Sequence, residues 1–209
     1  MTPTDQNKYK NACKVLLATI VLCTTQISKA ERHLPPHFEE PNNREITTTN
    51  LRWRDANQLP SDIRKSKAVS AWMKNLGDSE IAWFAQIDID DRKQTTEFLI
   101  ASSDGGSGGR NFLLIGSEKK GPWRQLAAFL GAPIFVMEDP KKPLTLQVYY
   151  RSGDMWLLKH VYSNGKYKFH SSSKIPEVFV TECFYRRWQQ LNLVLLQPGL
   201  DDALTKCLK

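Results

Sequence analysis

From Ile81 onward the chain is cut into short apolar runs, each closed by residues that bend a backbone. The runs Ile81–Ile87, Glu97–Ser102, Asn111–Ser117, Trp123–Leu130 and Ile134–Met137 come first. Leu144–Arg151, Met155–Tyr162, Lys166–His170 and Val178–Phe184 follow. Such runs are too short for ordinary helices and rich in the residues that suit a pleated surface, so they predict strands. Gly105-Gly106, Gly121-Pro122, Gly131, Asp139-Pro140, Ser152-Gly153-Asp154 and Asn164-Gly165 supply the turns. Asn164-Gly165 is the strongest hairpin signal, because a type I′ turn needs positive φ at both central positions. Strands joined by turns this short must run antiparallel.

The pattern before Ile81 is different. Residues 31–57 carry Pro35-Pro36, Pro41-Asn42-Asn43 and Thr47-Thr48-Thr49 without periodicity, and predict an irregular lead-in. Val69, Trp72, Met73 and Leu76 then fall at helical spacing, with Ser61 as the expected cap and Gly77 as the stop. After Pro198-Gly199, Leu200–Leu208 predicts a short terminal helix. The expected fold is mainly β, a single domain over 58–209 with one N-terminal helix and a short C-terminal helix.

A weak repeat runs through the β region. One unit reads Glu97–Ala101, Asn111–Ile115 and Trp123–Ala127; the next reads Thr145–Tyr149, Met155–Lys159 and Tyr167–Phe169. Each is strand, turn, strand, turn, strand, with a period of about 45 residues, the size of a propeller blade or similar sheet repeat. Two units are too few to close a propeller. The expectation is antiparallel sheet repeats forming a partial propeller-like array or a curved sandwich.

Asp88-Ile89-Asp90-Asp91, then Glu97–Ile100, Gly105–Gly109 and a Gly-Pro-Trp turn resemble small exported bacterial proteins with FG-GAP/VCBS-like half-blades. The resemblance covers about half of the processed chain and implies fold more than activity. In that family an Asp-x-Asp-x-Asp-Gly loop holds calcium through alternate oxygens. Here Asp88 and Asp90 fit, but Arg92 stands at the third carboxylate and Lys93 at the glycine. Two cations beside a Ca²⁺ site oppose it at short range. The expectation is therefore a degenerate, metal-free turn.

The N-terminus predicts export. Lys8, Lys10 and Lys14 precede an apolar stretch from Val15 through Cys23, and Ser28 and Ala30 place small residues before a cut at Glu31. That order is what signal peptidase reads. The apolar core is roughly half the ~20 residues that spanning hydrocarbon requires. A signal peptide over residues 1–30 and a periplasmic or secreted protein follow, with no transmembrane segment after processing. Its removal takes four of the 29 basic residues and one of the 22 acidic ones, lowering the net charge from +7 to +4. A mild, interspersed positive charge is no nucleic-acid footprint. Cys13 and Cys23 leave with the leader, so Cys183 and Cys207 are expected to pair in the oxidising compartment.

Catalytic chemistry is hard to assemble from the rest. His33 and His37 flank Pro35-Pro36, which no regular helix spans, and His160 and His170 stand in strands. There is no Gly-x-Ser-x-Gly elbow and no paired-cysteine metal motif. The expected protein is not an enzyme and carries no cofactor. The tryptophans and tyrosines fit core packing and cross-strand pairs better than a carbohydrate platform.

The stretch 102–110 stands out instead. Ser102, Ser103, Ser107 and Arg110 surround four glycines between two strands, where backbone can approach a partner closely. It runs into a strand and lacks Gly-Lys-Ser/Thr, which excludes a phosphate cradle. The expectation is an exported envelope binding protein that uses these four residues against a secreted protein such as a cell-wall hydrolase. In export, size, β content and the Ser/Gly loop it is similar to periplasmic immunity proteins that inhibit peptidoglycan amidases. The alternative is a glycan- or ligand-binding envelope module, or a cryptic hydrolase in which Ser107 meets His160.

Overall fold

The computed structural model describes residues 45–90, 95–118 and 121–192. Ten strands in this range form two five-stranded antiparallel sheets. The first comprises β2 (Arg54–Asp55), β3 (Ile81–Ile87), β4 (Thr95–Gly106), β5 (Gly109–Glu118) and β6 (Arg124–Leu130), neighbours in that order. The second orders β1 (Glu45–Thr47), β7 (Ala132–Val136), β8 (Thr145–Ser152), β9 (Asp154–Ser163) and β10 (Lys166–Lys174). Each sheet is thus a meander of consecutive strands, apart from β1, which pairs with the distant β7. The two units of the sequence repeat fall one in each sheet, as β4–β5–β6 and β8–β9–β10.

Between β6 and β7 the chain passes from one sheet to the other through a single residue. Gly131 links β6 to β7 with φ +123°, and a Cβ there would lie 2.6 Å from the Tyr149 carbonyl oxygen. Its own N–H donates to Arg110 O at 3.0 Å. Only glycine meets both demands, a left-handed backbone and a carbonyl at the place of its side chain.

Strand periodicity explains the layers. On β4 and β5, Leu99, Ala101, Phe112 and Leu114 face one way and join Phe135, Leu146, Val148 and Tyr167 of the other sheet in one apolar cluster. Ile100, Leu113 and Ile115 face the opposite way, against Leu59, Ile63, Val69 and Trp72. Because β4 and β5 are covered on both faces, they read as continuous apolar runs rather than alternating ones. Each large side chain fully buried there contributes about 1.5–3 kcal/mol of transfer free energy.

The N-terminal helical segment is broken. Helix α1 (Ser61–Arg64) ends at Lys65, and α2 (Lys67–Asn75) starts afresh with Ser66 as its cap, whose hydroxyl accepts from Val69 N at 3.3 Å. The expected cap, Ser61, is instead the first residue of α1. The break lets Ile63 and Val69 both reach the sheet.

The strand expected at Val178–Phe184 is a helix start. A 3-10 turn occupies Glu177–Phe179, and α3 (Glu182–Leu191) begins after Thr181, whose hydroxyl accepts from Phe184 N at 3.2 Å. The apolar run Val178-Phe179-Val180 suggested a strand. A capping threonine, followed by buried Phe184, Trp188 and Leu191 at helical spacing, decides the outcome. Residues 45–57, expected as irregular, supply β1 and β2 to the two sheets. Residues 1–44, the charged positions Arg92 and Lys93, and Leu200–Leu208 with Cys207 lie outside the described residues. No helix among the described residues is long and apolar enough to cross a membrane.

Candidate functional site

The glycine-rich stretch is the end of the β4–β5 hairpin. Gly105 pairs with Arg110 and Gly106 with Gly109, which leaves Ser107 and Gly108 as the turn, and the register shifts between Ala101 and Gly105. The tip meets the second sheet at Tyr150, whose ring would lie 2.6 Å from a Cβ on Gly108; that Cβ would also lie 2.9 Å from Leu130 of β6, and one on Gly109 would strike the Asn192 side chain. Small residues are needed here for close packing against the protein's own body.

The four residues expected to bind a partner divide sharply. Arg110 is only 9% exposed and Ser102 is fully buried. The Arg110 guanidinium donates through Nη1 to Ser102 O and, at 2.6 Å, to Ser103 O, and through Nε to Asn192 O at 3.0 Å. Its carbon lies 4.8 Å from the centre of the Trp83 ring, and its backbone N–H donates to Asn192 Oδ1 at 2.9 Å. Burial lowers its pKa from the usual guanidinium range while the charge of Asp104 opposes the drop. Arg110 is therefore a clamp holding the hairpin to α3, and Ser102 is part of what it clamps.

Ser103 is exposed, yet its hydroxyl accepts from Glu80 N at 3.1 Å and its N–H donates to Glu80 O at 2.7 Å. Asp104 accepts from Ser79 Oγ at 3.0 Å. Of the four expected residues, Ser107 alone is exposed with a side chain uncommitted among the described residues. The accessible part of the tip is 103–107, a ridge of small residues fixed from below.

Beside the ridge lies a cleft of about 230 Å³, bounded by Gly105, Gly106 and Ser107 on one wall and Tyr185, Trp188 and Gln189 of α3 on the other. Tyr185 stacks on Trp188 with centroids 5.5 Å apart, and its hydroxyl accepts from Arg151 Nη1 at 2.6 Å. The indole N–H of Trp188 donates to Tyr149 O at 2.8 Å. Because the sequence reading made a strand of Val178–Phe184, the helical face bearing Tyr185 and Trp188 escaped it; the Phe184, Trp188, Leu191 spacing was the available signal.

Ser107 and His160 do not meet. The tip abuts Tyr150, whereas His160 pairs with Leu146, four positions away along β8, or roughly 13 Å of strand. The His160 ring packs edge-on to Phe169, and burial lowers its pKa. At the calcium-like loop, Asp88 Oδ1 accepts from Asp90 N at 3.2 Å and Asp90 Oδ1 accepts from Thr95 Oγ1 at 3.1 Å. No grouping of three or more potential metal-ligating side chains occurs among the described residues. Cys183, near the start of α3, is not a free thiol, and its expected partner Cys207 lies outside the described residues.

No family matches. Neither a protein-family model, nor a curated protein, nor a solved structure is similar enough to this chain to count as a match. The reading of the site therefore rests on its geometry.

Proposed function

We propose that the protein is a non-enzymatic binding protein of the cell envelope that inhibits a secreted cell-wall hydrolase through the hairpin ridge 103–107. The observation that carries this reading is the division of labour within the tip. Arg110, Gly108 and Gly109 hold it rigidly from beneath, while Ser103 to Ser107 present small side chains and accessible backbone. A ridge ordered before binding loses little further conformational freedom on entering a cleft, and so retains more of its contact energy as affinity. The exported character expected from the N-terminus places it among wall enzymes.

The cleft beside the ridge favours a second reading, a module that holds a small polar ligand such as a glycan unit between Ser107 and Tyr185. For the fold, we propose a curved sandwich rather than part of a propeller. Two meanders sharing one apolar cluster, joined by a one-residue corner, support that choice.

Ser107→Glu tests the function. It places bulk and charge on the exposed ridge and touches no internal hydrogen bond, so stability should change by no more than about 0.5 kcal/mol, or ~1–2 °C in Tm. Wild-type protein should slow peptidoglycan clearing by purified lysozyme-like or amidase enzymes, and the variant should not. If wild type slows none of them, or the variant slows them equally, the inhibitor reading fails. Binding of soluble peptidoglycan fragments that Ser107→Glu abolishes would support the glycan module instead.

A further inference from the structure

Strand β10 closes one side of its sheet and forms ladder hydrogen bonds with β9 alone. It passes β6 of the other sheet without pairing to it. Eight of its nine residues are exposed, and Phe169 in its middle is 61% exposed, a large apolar side chain left in water on an open edge. Its charge is of one sign: Lys166, Lys168 and Lys174, with no acidic residue on the strand. Lys174 is paired with Asp154 at 2.8 Å, but Lys166 and Lys168 have no ion pair among the described residues. The ladder breaks between Phe169 and Ser171, which confines regular pairing to 166–169 and 171–174.

Edge lysines normally discourage association between like strands. A second copy of β10 would bring a strand of the same sign, free of carboxylates, against these lysines. The same charges attract a strand of opposite sign. Side chains alternate along a strand, so Lys166 and Lys168 share one face while Tyr167 and Phe169 share the other. We propose that β10 is a strand-addition site for an extended segment of a partner protein that alternates acidic and apolar residues. Its carboxylates lie beside Lys166 and Lys168, and an apolar residue on the opposite face covers Phe169. Main-chain hydrogen bonds supply affinity and the alternation supplies selectivity. This surface is separate from the hairpin tip and does not depend on its role.

The probe is a short labelled peptide alternating Glu and Val, compared with one alternating Lys and Val, with fluorescence anisotropy as the readout. The Glu peptide should bind at least tenfold more tightly, and hydrogen exchange should slow at amides within 166–174. Reversing both charges with Lys166→Glu and Lys168→Glu turns two favourable cross-strand pairs into repulsions and should weaken the Glu peptide about tenfold. Both side chains are exposed, so the variant should keep the wild-type Tm. Failure of the Glu peptide to bind, equal affinity for the two peptides, or protection elsewhere than β10 would overturn the proposal. So would a concentration-dependent dimer of the peptide-free protein that protects β10.

Discussion

The guanidinium of Arg110 gives up water for three backbone carbonyls and an indole face. A buried charge keeps such a position only when its donors are used, and cutting it away leaves the carbonyls of Ser102, Ser103 and Asn192 stranded in a dry place. Arg110→Ala should therefore cost about 3 kcal/mol, read as a lowered urea midpoint with an unchanged slope. Arg110→Lys should recover only part of this, because one ammonium cannot reproduce the planar fork that reaches three acceptors. A variant as stable as wild type would mean that the clamp contributes nothing. The sequence offered Arg110 as an exposed contact because it follows four glycines; burial depends on α3 arriving from more than eighty residues away, and no local pattern encodes that. Ser107 was legible, since a serine inside a glycine turn has little to bury it.

At the scale of elements, the corner at Gly131 is the most demanding joint. Gly131→Ala must hold an L-residue at φ +123° and thrust a methyl toward the Tyr149 carbonyl, which should cost about 3 kcal/mol or more. Gly106→Ala is the matched control: a Cβ there meets nothing within 4 Å, so its urea midpoint should stay within about 0.5 kcal/mol of wild type. Equal effects at the two positions would contradict the corner's role. The strands from Ile81 to His170 were legible because turn residues bracket them. At Asn164-Gly165 the positive φ values of 53° and 78° follow directly from the dipeptide. β1 and β2 were not legible, because a three-residue strand such as Glu45–Thr47 has too few positions for alternation to emerge. The helix α3 was mistaken at its start because β-branched residues stand just before the capping threonine. Local propensity there pointed one way and amphipathic spacing the other.

For the whole molecule, export and covalent closure belong together. We expect the secreted form to begin at Glu31 and to carry a Cys183–Cys207 disulfide. Closing that loop of about 25 residues should stabilise the fold by roughly 3 kcal/mol in the chain-entropy view. Intact-mass analysis of fractionated protein, before and after alkylation without reductant, tests both at once. A cytoplasmic chain retaining Met1, or two alkylated cysteines in the exported chain, would refute the corresponding half. The two surfaces proposed for partners differ in how far the sequence reveals them: the Ser/Gly tip is marked by its composition, whereas the edge position of β10 emerges from strand order alone.

The C-terminal end of α3 gathers threads from the whole length of the fold. Thr48 Oγ1 donates to Leu191 O at 2.8 Å across 143 positions, and Arg110 reaches Asn192 across 82. Strand β1, likewise, waits for β7. A chain emerging amino end first can assemble the meander β2–β6 from neighbours, but Thr48 and the hairpin tip gain these contacts only when α3 arrives. A product cut short before Asn192 would keep its sheet and lose its latch. Truncation there should therefore leave the β4–β5 hairpin tip more open to protease than it is in the full chain.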